Sequence, residues 1–287
     1  MRIAVFGNTH QEKYIDGIIL LFNTLSKYNI DIQIQKKFFD YLCKVSAEPQ
    51  VSHKIITDDD FDADIAISLG GDGTFMRTAM RVSQKNIPIL GINTGHLGYL
   101  TDATMDEVEI VIDDIVNNRY KVECRTLLEV VPLDPHFTIP QPFALNEVAI
   151  LRQDTSSMIS VETSVNGTYF TTYKGDGLII STPTGSTAYN LSVGGPILDP
   201  NAQNIVLSPI SPHSLNMRPL VLRDDSVITV STISRADSYN VSIDGRSNTL
   251  PIGTAITIRK APYTIKVVQS LRHSFISTLR EKLMWGV

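Results

Sequence analysis

The sequence predicts two domains, an α/β domain followed by a mostly β domain. Strand-like and helix-like segments alternate over residues 1–120. From residue 121 onward, short β-rich segments follow one another, many of them separated by Gly, Pro, Asn or Asp. A chain of 287 residues is long enough to bury the cores of two domains of medium size. We therefore expect an α/β domain over residues 1–120, joined by the C-terminal segment 270–287, and a β-rich domain over residues 121–269.

The N-terminal domain is predicted to contain a parallel, Rossmann-like sheet covered by helices. Its strands are near-continuous apolar runs, such as 65-IAISL-69, as is typical of strands buried on both faces. Strands of this kind that alternate with helices pair in parallel. Ligands of such sheets bind beyond the carboxyl ends of the strands. The predicted strands are 3–7, 31–35, 64–69 and 88–93, and the predicted helices are 12–28, 74–84 and 105–117.

The C-terminal domain is predicted to be β-sandwich-like or a related antiparallel fold. Short β-rich segments with turn residues between them are typical of antiparallel sheets. The final segment 270–287 returns to helical spacing, and we expect it to pack on the first domain. The predicted strands are 126–131, 143–151, 158–165, 177–182, 226–232, 239–243, 255–260 and 263–268.

The overall composition restricts the classes of partner. The formal net charge of −5 argues against a nucleic acid or an anionic membrane as the partner. No apolar run of the sequence approaches the roughly 20 residues that span a bilayer. Cys43 and Cys124 are far apart, and the sequence has no Cys/His cluster. We therefore expect a cytoplasmic protein with reduced thiols and no structural zinc site.

The loop 70-GGDGT-74 lies between an apolar strand and a predicted helix, where glycine loops often bind phosphates. Glycines let the backbone approach a ligand closely, and Thr74 is predicted to be the N-cap of the helix. The loop lacks the Gly-Lys-Ser/Thr ending of a Walker A loop. Asp72 would repel phosphates unless it faces a metal ion or takes a proton from a hydroxyl nucleophile. A simple strand-to-helix turn, a metal ligand and a general base all stay open for this loop alone.

Two other segments place polar groups where a ligand could bind. The segment 182-TPTGSTAYNLSVGGPI-197 is dense in hydroxyls and glycines and suits a ligand with sugars and phosphates, since long structureless stretches in compact domains are usually functional. Within 145-LNEVAIL-151, Asn146 and Glu147 are polar neighbours in an apolar strand. Successive residues face opposite sides of a strand, so one of them points inward unless both lie at a strand edge.

The remaining polar features have simple structural explanations. The motif 174-KGDG-177 offers a cation and a carboxylate, although a turn between two strands is the better local explanation. The motif 243-IDGR-246 carries the Asp-Gly pair that favours a β-hairpin. His96 and His213 lie in loops that could line a pocket, and a hydrogen-bonded structural histidine is the simpler interpretation of each.

Taken together and in this order, the motifs resemble the NAD kinase family, particularly its bacterial members. Versions of the GGDGT loop also occur in diacylglycerol kinases, sphingosine kinases and phosphofructokinases. The LNE and TPTGSTAY segments are far more specific to NAD kinases. The resemblance extends at motif level from residue 64 to residue 246. It is carried by the segments 70–74, 95–100, 145–147, 174–177 and 182–197, and the segments 88–100 and 211–220 agree with it.

The resemblance implies a phosphotransferase that moves the γ-phosphate of ATP to the 2′-hydroxyl of the adenosine ribose of NAD, giving NADP. ATP and NAD are the implied small-molecule substrates, and a divalent metal, usually Mg²⁺, is the implied cofactor. Residues 121–269 are then the NAD-binding domain, and the protein is a homodimer or homotetramer. Asp72 matches the proton acceptor of the family, and no side chain is assigned as a metal ligand.

Further site residues follow from matching positions. Asn146 and Glu147 match the pair that holds the adenosine moiety of NAD. Two positions depart from the family, because Lys174 stands where many members have Arg, which would remove bidentate contacts, and because other members differ after Asp244. The implied NAD-binding residues are Asp72, Gly73, Asn146, Glu147, Lys174, Asp176, Thr184, Thr187, Ala188, Tyr189, Asn190, Ser192, Ser211 and Arg246. The implied ATP phosphate loop consists of Gly70, Gly71, Gly73 and Thr74.

Two other functions account for part of the sequence. A kinase that phosphorylates a lipid headgroup would use the same loop, but it gives no role to the segment 182–192. A regulator that binds NAD or ATP without catalysis would use the same binding segments, but it has no need of the Asp72 carboxylate beside phosphates.

Overall fold

The protein was analysed as a computed structural model. The chain divides into two compact units, which are described separately. Unit 1 comprises residues 1–124 and 265–287, and unit 2 comprises residues 125–264. The structure describes residues 1–95, 98–154 and 157–284.

The helices and strands are numbered in chain order. The α-helices are α1 (Ile15–Ser26), α2 (Lys36–Lys44), α3 (Asp72–Val82), α4 (Val108–Val116), α5 (Tyr189–Ser192) and α6 (Phe275–Leu283). The strands are β1 (Arg2–Gly7), β2 (Asp31–Gln35), β3 (His53–Ile56), β4 (Ile65–Leu69), β5 (Ile89–Asn93), β6 (Ala103–Thr104), β7 (Tyr120–Pro132), β8 (Phe143–Ala144), β9 (Glu147–Arg152), β10 (Ile159–Val165), β11 (Thr168–Gly175), β12 (Gly177–Ser181), β13 (Asn204–Ile210), β14 (Leu220–Arg223), β15 (Ile228–Ile233), β16 (Ser238–Ile243), β17 (Arg246–Pro251) and β18 (Ile256–Ser270).

Unit 1 is built on a parallel sheet with the strand order β3-β2-β1-β4-β5. Each pairing between neighbours in this order is parallel, and β6 and the end of β18 also pair with β5 in parallel. Apolar side chains of the sheet form one core with α1, α2 and α4, and Ile67, Leu21 and Ile112 lie in it. All five residues of β4 are buried, as its continuous apolar run predicts.

The start of α3 differs from the sequence-based expectation. The helix begins at Asp72 with Gly71 as its N-cap, so the prediction of Thr74 as the N-cap is wrong. Gly70 has a φ of 146°, which turns the chain into the helix earlier than expected. The N–H groups of Thr74 and Phe75 both donate to the carbonyl of Gly71, at 2.8 and 3.1 Å, and this places Thr74 inside the first turn.

Unit 2 consists of two antiparallel sheets around one core. One sheet runs β14-β13-β12-β9-β16-β17, and the other contains β11-β10-β15 and the start of β18, with β7 and β8. Val161, Ile180 and Val241 come from the two sheets and belong to the same buried cluster. This arrangement, with the parallel sheet of unit 1, confirms the predicted fold class of an α/β domain plus a β-sandwich-like domain.

Three local predictions in this part of the chain have clear outcomes. The hairpin at 243–246 is confirmed, since Ile243 pairs with Arg246 and both turn residues have positive φ. The ranges 255–260 and 263–268 are strand as predicted to within one residue, but the break between them is wrong, because β18 runs through both. The motif 174–177 connects the strands β11 and β12, as predicted, and the two strands belong to different sheets. Among the helices of the described ranges, none is long and apolar enough to cross a bilayer.

Candidate functional site

The loop 70–74 connects β4 to α3 and places two exposed glycines at the start of the helix. Gly71 and Gly73 are both exposed, whereas Thr74 is buried and its hydroxyl accepts a hydrogen bond from Arg77 Nη2 at 3.0 Å. The first turn of a helix carries N–H groups without intrahelical acceptors and the positive end of the helix dipole. The loop therefore offers backbone donors to an anion.

The three glycines of this loop have different reasons to be glycine. Gly70 needs its φ of 146°, and a Cβ there would lie 2.4 Å from the Thr74 hydroxyl oxygen. For Gly71, no described atom lies within 4 Å of an added Cβ, and for Gly73 the nearest is Arg77 Nη1 at 3.8 Å. Neither has a φ that demands glycine. The fold thus explains Gly70, while Gly71 and Gly73 keep open space above the loop.

The carboxylate of Asp72 is held by the segment that follows β5. Its Oδ2 accepts a hydrogen bond from the N–H of Tyr99 at 3.0 Å, and its Oδ1 accepts one from the N–H of Leu100 at 3.1 Å. Gly98 approaches so closely that a Cβ there would lie 1.9 Å from Asp72 Oδ1. Each carboxylate oxygen retains a second lone pair, and Asp72 is partly exposed. The group is therefore oriented and still open to a ligand.

Two adjoining cavities of about 450 and 920 Å³ lie in unit 1 at the carboxyl ends of β1, β2 and β3. The smaller one reaches Thr74 and Arg77 of α3. Lys36 pairs with Asp40 at 3.2 Å, whereas no salt bridge to Lys37 occurs within the described residues. The ionisable side chains lining the two cavities are His10, Glu12, Lys36, Lys37, Asp40, Tyr41, Lys44, Arg77 and Arg81. The excess of basic groups suits a ligand with several negative charges.

In unit 2, the start of β9 is held by a carboxylate from the β16–β17 turn. Asp244 accepts hydrogen bonds from the N–H groups of Leu145, Asn146 and Glu147, at 2.7, 2.8 and 3.1 Å. The N–H of Asp244 in turn donates to the carbonyl of Glu147 at 3.1 Å. These bonds fix the backbone that carries the two polar side chains of the LNE segment.

Glu147 is a buried carboxyl group with an unsatisfied oxygen. Burial, and then the nearby charge of Asp244, raise its pKa to about 7, and a hydrogen bond from the N–H of Tyr189 opposes the shift. Its Oε2 has no hydrogen-bond partner within the described residues. A buried acceptor of this kind is available to a ligand hydroxyl or amide.

The segment 182–192 packs against the start of β9. Instead of the structureless loop predicted from the sequence, it forms a 3₁₀-helix over Thr184–Thr187 and then the single turn α5. The hydroxyl of Thr182 donates to the carbonyl of Leu145 at 2.6 Å. A Cβ on Gly185 would lie 2.0 Å from the carbonyl oxygen of Asn146. The segment thus brings Tyr189 beside Glu147.

Tyr189 and Asn190 are neighbours in opposite environments. Tyr189 is 39% exposed, whereas Asn190 is completely buried. The Asn190 amide donates to the carbonyls of Ser186 and Pro196, at 3.1 and 3.0 Å, and its oxygen accepts from the Ser208 hydroxyl at 2.6 Å. The Asn190 side chain therefore stabilises the segment from inside, and its assignment as an NAD ligand stays a prediction.

The other predicted positions differ in exposure and in pairing. Asp176 forms a salt bridge with Arg152 at 2.8 Å, and Lys174 is exposed. Ser211 is exposed with a φ of 45°, and Arg246 donates to the carbonyl of Phe143 at 2.8 Å.

The remaining hydroxyls of the segment mostly bond locally. Thr187 donates to the carbonyl of Thr184 at 3.3 Å, and Ser192 donates to that of Tyr189 at 2.8 Å, while Ala188 is partly exposed. His213 is exposed, and its backbone N–H donates to the carbonyl of Lys174 at 2.9 Å. His96 lies outside the described residues.

Sequence reasoning missed several residues of these sites. The sequence predicts Asp244 only as a hairpin residue, because its contacts with a segment 97–99 residues away leave no local signal. Lys37 and Arg77, which line the cavities, were not singled out. The rule that ligands bind at the carboxyl ends of parallel strands, applied to β1 and β2, could have found the cavities.

Comparison with known structures defines the class of fold. Yeast NADH kinase, solved in complex with NADH, matches with a TM-score of 0.89 at 23% identity, covering 100% of this chain and 88% of that one. At that identity the likeness shows the fold alone. An NAD kinase from Archaeoglobus fulgidus, solved in complex with ATP, matches with a TM-score of 0.78 at 25% identity and covers 99% of each chain. The protein thus has the two-domain fold of these pyridine-nucleotide kinases.

Sequence comparison then gives the family. Residues 17–120 match the ATP-NAD kinase N-terminal domain, and residues 145–270 match the ATP-NAD kinase C-terminal domain. An NAD kinase of Bacteroides fragilis is 48% identical over 286 residues, covering 100% of this chain and 98% of that protein. An NAD kinase of Porphyromonas gingivalis is 43% identical, with coverages of 99% and 98%. The chain belongs to the ATP-NAD kinase family, which confirms the resemblance found in its motifs.

Proposed function

We propose that the protein transfers the γ-phosphate of ATP to the 2′-hydroxyl of the adenosine ribose of NAD, giving ADP and NADP. The observation that carries the proposal is the Asp72 carboxylate, which is oriented by two backbone N–H groups beside two exposed glycines. Family membership adds the identity of the two substrates, since the relatives are named NAD kinases.

The donor is proposed to lie along α3 and the cavities of unit 1. The β- and γ-phosphates would sit over Gly71 and Gly73, where no described protein atom occupies the space of a side chain on Gly71. Thr74, behind the loop, would keep Arg77 in place through their hydrogen bond. Lys37 and Arg77 line the smaller cavity and would neutralise the remaining phosphate charge. Each of the two cavities, of about 450 and 920 Å³, is within the usual range of about 300–1,000 Å³ for small-molecule sites.

Asp72 is proposed as the proton acceptor. A free lone pair on its carboxylate accepts the proton of the 2′-hydroxyl, while the ribose oxygen forms a bond to the γ-phosphorus. The bond between the γ-phosphorus and the β–γ bridging oxygen breaks, and its electron pair leaves with ADP. The two N–H bonds keep the carboxylate in one orientation, which supports this role for an acid in a phosphate loop.

The NAD contacts are proposed for residues of each unit. In unit 1 they are Asp72 and Gly73. In unit 2, the unsatisfied oxygen of Glu147 would accept from a hydroxyl or amide of NAD, next to Asn146. Lys174, Asp176, Ser211 and Arg246 are proposed as outer contacts. The rest of the proposed set is Thr184, Thr187, Ala188, Tyr189, Asn190 and Ser192. Residues 121–269 would thus form the NAD-binding domain, with 270–287 joined to the domain of residues 1–120.

Mg²⁺ is proposed to arrive with the nucleotide. Within residues 1–95, 98–154 and 157–284, no group of three His, Cys, Asp or Glu side chains is arranged to hold a metal ion. Mg²⁺ often binds through phosphates, waters and one or two carboxylates, so the residues present fit an ion carried by ATP. When bound, it neutralises charge on the transferred phosphoryl group.

We further propose a cytoplasmic homodimer or homotetramer.

The decisive experiment incubates the purified protein with NAD, ATP and Mg²⁺ and detects NADP with an NADP-specific dehydrogenase. NADP formation that requires both substrates supports the proposal. Absence of NADP at micromolar enzyme contradicts it. Binding of NAD and ATP without turnover would favour the non-catalytic regulator, and phosphorylation of a lipid headgroup in place of NAD would favour the lipid kinase.

The role of Asp72 is tested separately by Asp72→Asn. We expect NAD binding to persist while turnover falls by roughly 10²–10⁴, the usual contribution of a general base. An amide has only one acceptor oxygen for the two N–H groups that face it, so part of the loss comes from the loop. Normal turnover by this variant would exclude Asp72 as the proton acceptor.

A further inference from the structure

The segment that orients Asp72 is in contact with the last helix of the chain. Lys282 of α6 places its Nζ 5.2 Å from the centre of the Tyr99 ring. The backbone N–H of the same Tyr99 donates to Asp72 Oδ2. Burial, and then the negative charge of Asp72, raise the pKa of the Tyr99 phenol, so the phenol also senses that carboxylate. A single residue thus connects the C-terminal helix with the proposed base.

The other side of this segment is fixed by the end of β5. The Thr101 hydroxyl oxygen accepts hydrogen bonds from the N–H of Gly98 and from Asn93 Nδ2, each at 2.9 Å. A Cβ on Gly91 would lie 2.8 Å from Thr101 Cα, so strand and segment are in close contact. These contacts hold the segment at Gly98 and Thr101, and on its outer side the Tyr99 ring contacts the Lys282 ammonium.

Helix α6 is itself attached to unit 1. His273, just before the helix, lies 3.0 Å from Glu107, and Arg272 forms a salt bridge with Asp114 at 3.0 Å. Ser274 caps the helix by accepting a hydrogen bond from the N–H of Ser277. These contacts hold the first turn, so the position of Lys282 in the last turn is set by a helix with a fixed start.

We propose that α6 positions the proposed catalytic carboxylate, with Lys282 and Tyr99 as positioning residues for Asp72. The inference rests on the proposed function. A cation over the face of Tyr99 restricts the ring and hence the direction of the Tyr99 N–H. That N–H bonds to a charged acceptor, which makes the bond strong and directional. Releasing the ring lets the carboxylate rotate away from the acceptor hydroxyl, and small misplacements of a catalytic group lower the rate.

The test compares Lys282→Met with Lys282→Arg in the NADP assay. Lys282→Met keeps the apolar stem and is expected to lower kcat about two- to fivefold, the rate equivalent of an exposed cation–π contact, with KM for ATP unchanged. Lys282→Arg is expected to restore the rate, because guanidinium groups also stack on aromatic faces. Arg280→Met removes one positive charge from the same turn of α6, where Arg280 is exposed, and should leave kcat unchanged.

Substitutions at Tyr99, alone and combined with Lys282→Met, measure how far the effects of Tyr99 and Lys282 on kcat depend on each other. Tyr99→Phe keeps the ring and should retain the rate, whereas Tyr99→Leu should lower kcat. The double variant Tyr99→Leu/Lys282→Met should lose no more than Tyr99→Leu alone, because the contact with Lys282 is already gone. A general loss of structure would instead lower the melting temperature and change all kinetic constants of these variants.

Each outcome of this series decides the inference. Unchanged kcat in Lys282→Met, an equal loss in Arg280→Met, or additive losses in the double variant would overturn it. A fully active Lys282→Met beside an inactive Asp72→Asn overturns the positioning role and leaves the proposed function intact. Failure of the proposed function itself has a different signature, because the unmodified protein then makes no NADP.

Discussion

The carboxylate of Asp244 accepts a hydrogen bond from the N–H of Glu147 at 3.1 Å, while its charge opposes ionisation of the Glu147 side chain. The hydrogen bond fixes the backbone at the start of β9, and the charge of Asp244 adds to the larger effect of burial in raising the pKa of Glu147 to about 7. Burial raises the pKa of Asp244, and the three backbone N–H groups and then the charge of Arg246, in the same hairpin, oppose that shift. The hairpin turn is thus part of the proposed NAD-binding region of unit 2.

Glu147→Gln is predicted to change the dependence of stability on pH. The pKa of Glu147 is raised from 4.5 to about 7 in the folded protein, so the folded state binds its proton more tightly than the unfolded state. Ionisation of Glu147 therefore lowers the free energy of unfolding progressively between about pH 4.5 and 7. The full penalty, at most about 3 kcal/mol, is present above pH 7. Gln cannot ionise, so the variant should be more stable than the unmodified protein at pH 8 and similar at pH 4.5.

Urea unfolding at pH 4.5, 6 and 8 measures this difference. Glu281→Gln, an exposed position in α6, serves as the control and should show no such dependence. A stability difference that is independent of pH would mean that the pKa of Glu147 is not raised in the folded protein. NAD affinity of Glu147→Gln, measured in parallel, reports on the separate question of binding.

Several strands with continuous apolar runs were predictable, although the buried strand β13 was missed. The continuous apolar run 65–69 gave β4 within one residue. The strand β11 was missed because six of its eight residues are exposed or partly exposed, so neither alternation nor a buried run marks it. Pro262 has no N–H for a strand ladder and suggested a break, yet β18 continues through it. Local patterns therefore predict some elements and miss others, because strand pairing depends on residues far away in the chain.

The motifs of the site could be predicted from the sequence, but the residues that hydrogen-bond to those motifs could not. The residues of 70–74 and 145–147 could be singled out because their polarity conflicts with their surroundings. The residues that hold them come from distant parts of the chain, as Asp244 does for Leu145 and Tyr99 does for Asp72. Such contacts depend on tertiary packing, which a single sequence does not encode in any short pattern.

Gly71→Ala is predicted to weaken ATP binding with little change in stability, whereas Gly70→Ala is predicted to destabilise the fold. Gly71 has space for a Cβ and an ordinary φ of −85°, so Ala should change the free energy of unfolding by no more than about 1 kcal/mol. The methyl group would, however, occupy the space proposed for phosphates, and we expect KM for ATP to rise by roughly tenfold or more. Gly70→Ala is strained by its φ of 146° and by the Thr74 hydroxyl, so it should destabilise the fold by about 1–3 kcal/mol or more. A Gly71→Ala variant with unchanged KM for ATP would contradict the phosphate assignment.

Lys37→Met is predicted to weaken the binding of ATP, the phosphate donor, and to leave the binding of NAD, the acceptor, unchanged. A hydrogen bond to a charged group contributes about 1.5–3 kcal/mol, so KM for ATP should rise by about tenfold or more, with KM for NAD unchanged. Lys54→Met removes the same charge from β3, where Lys54 is exposed and pairs with Asp31 at 3.4 Å, and should alter neither constant. Steady-state kinetics with each substrate varied in turn measures both. Equal effects of the two variants would point to a general loss of positive charge rather than a site in the cavity.

Tyr189→Ala is predicted to weaken NAD binding, and Asn190→Ala, in the same turn of helix, is predicted to lower the stability of the fold. The Tyr189 ring is partly exposed and makes its contact with Glu147 through the backbone, which Ala retains. Its removal should leave the melting temperature nearly unchanged and weaken NAD binding, by about 1–3 kcal/mol if the ring stacks on a base. Asn190→Ala leaves the Ser208 hydroxyl and two carbonyls without their partner, at a cost of about 1–3 kcal/mol for each unsatisfied buried group. Calorimetric titration with NAD and thermal unfolding of both variants distinguish the two effects. Unchanged NAD affinity in Tyr189→Ala would exclude the ring from the site, because the backbone contact to Glu147 is the same in both proteins.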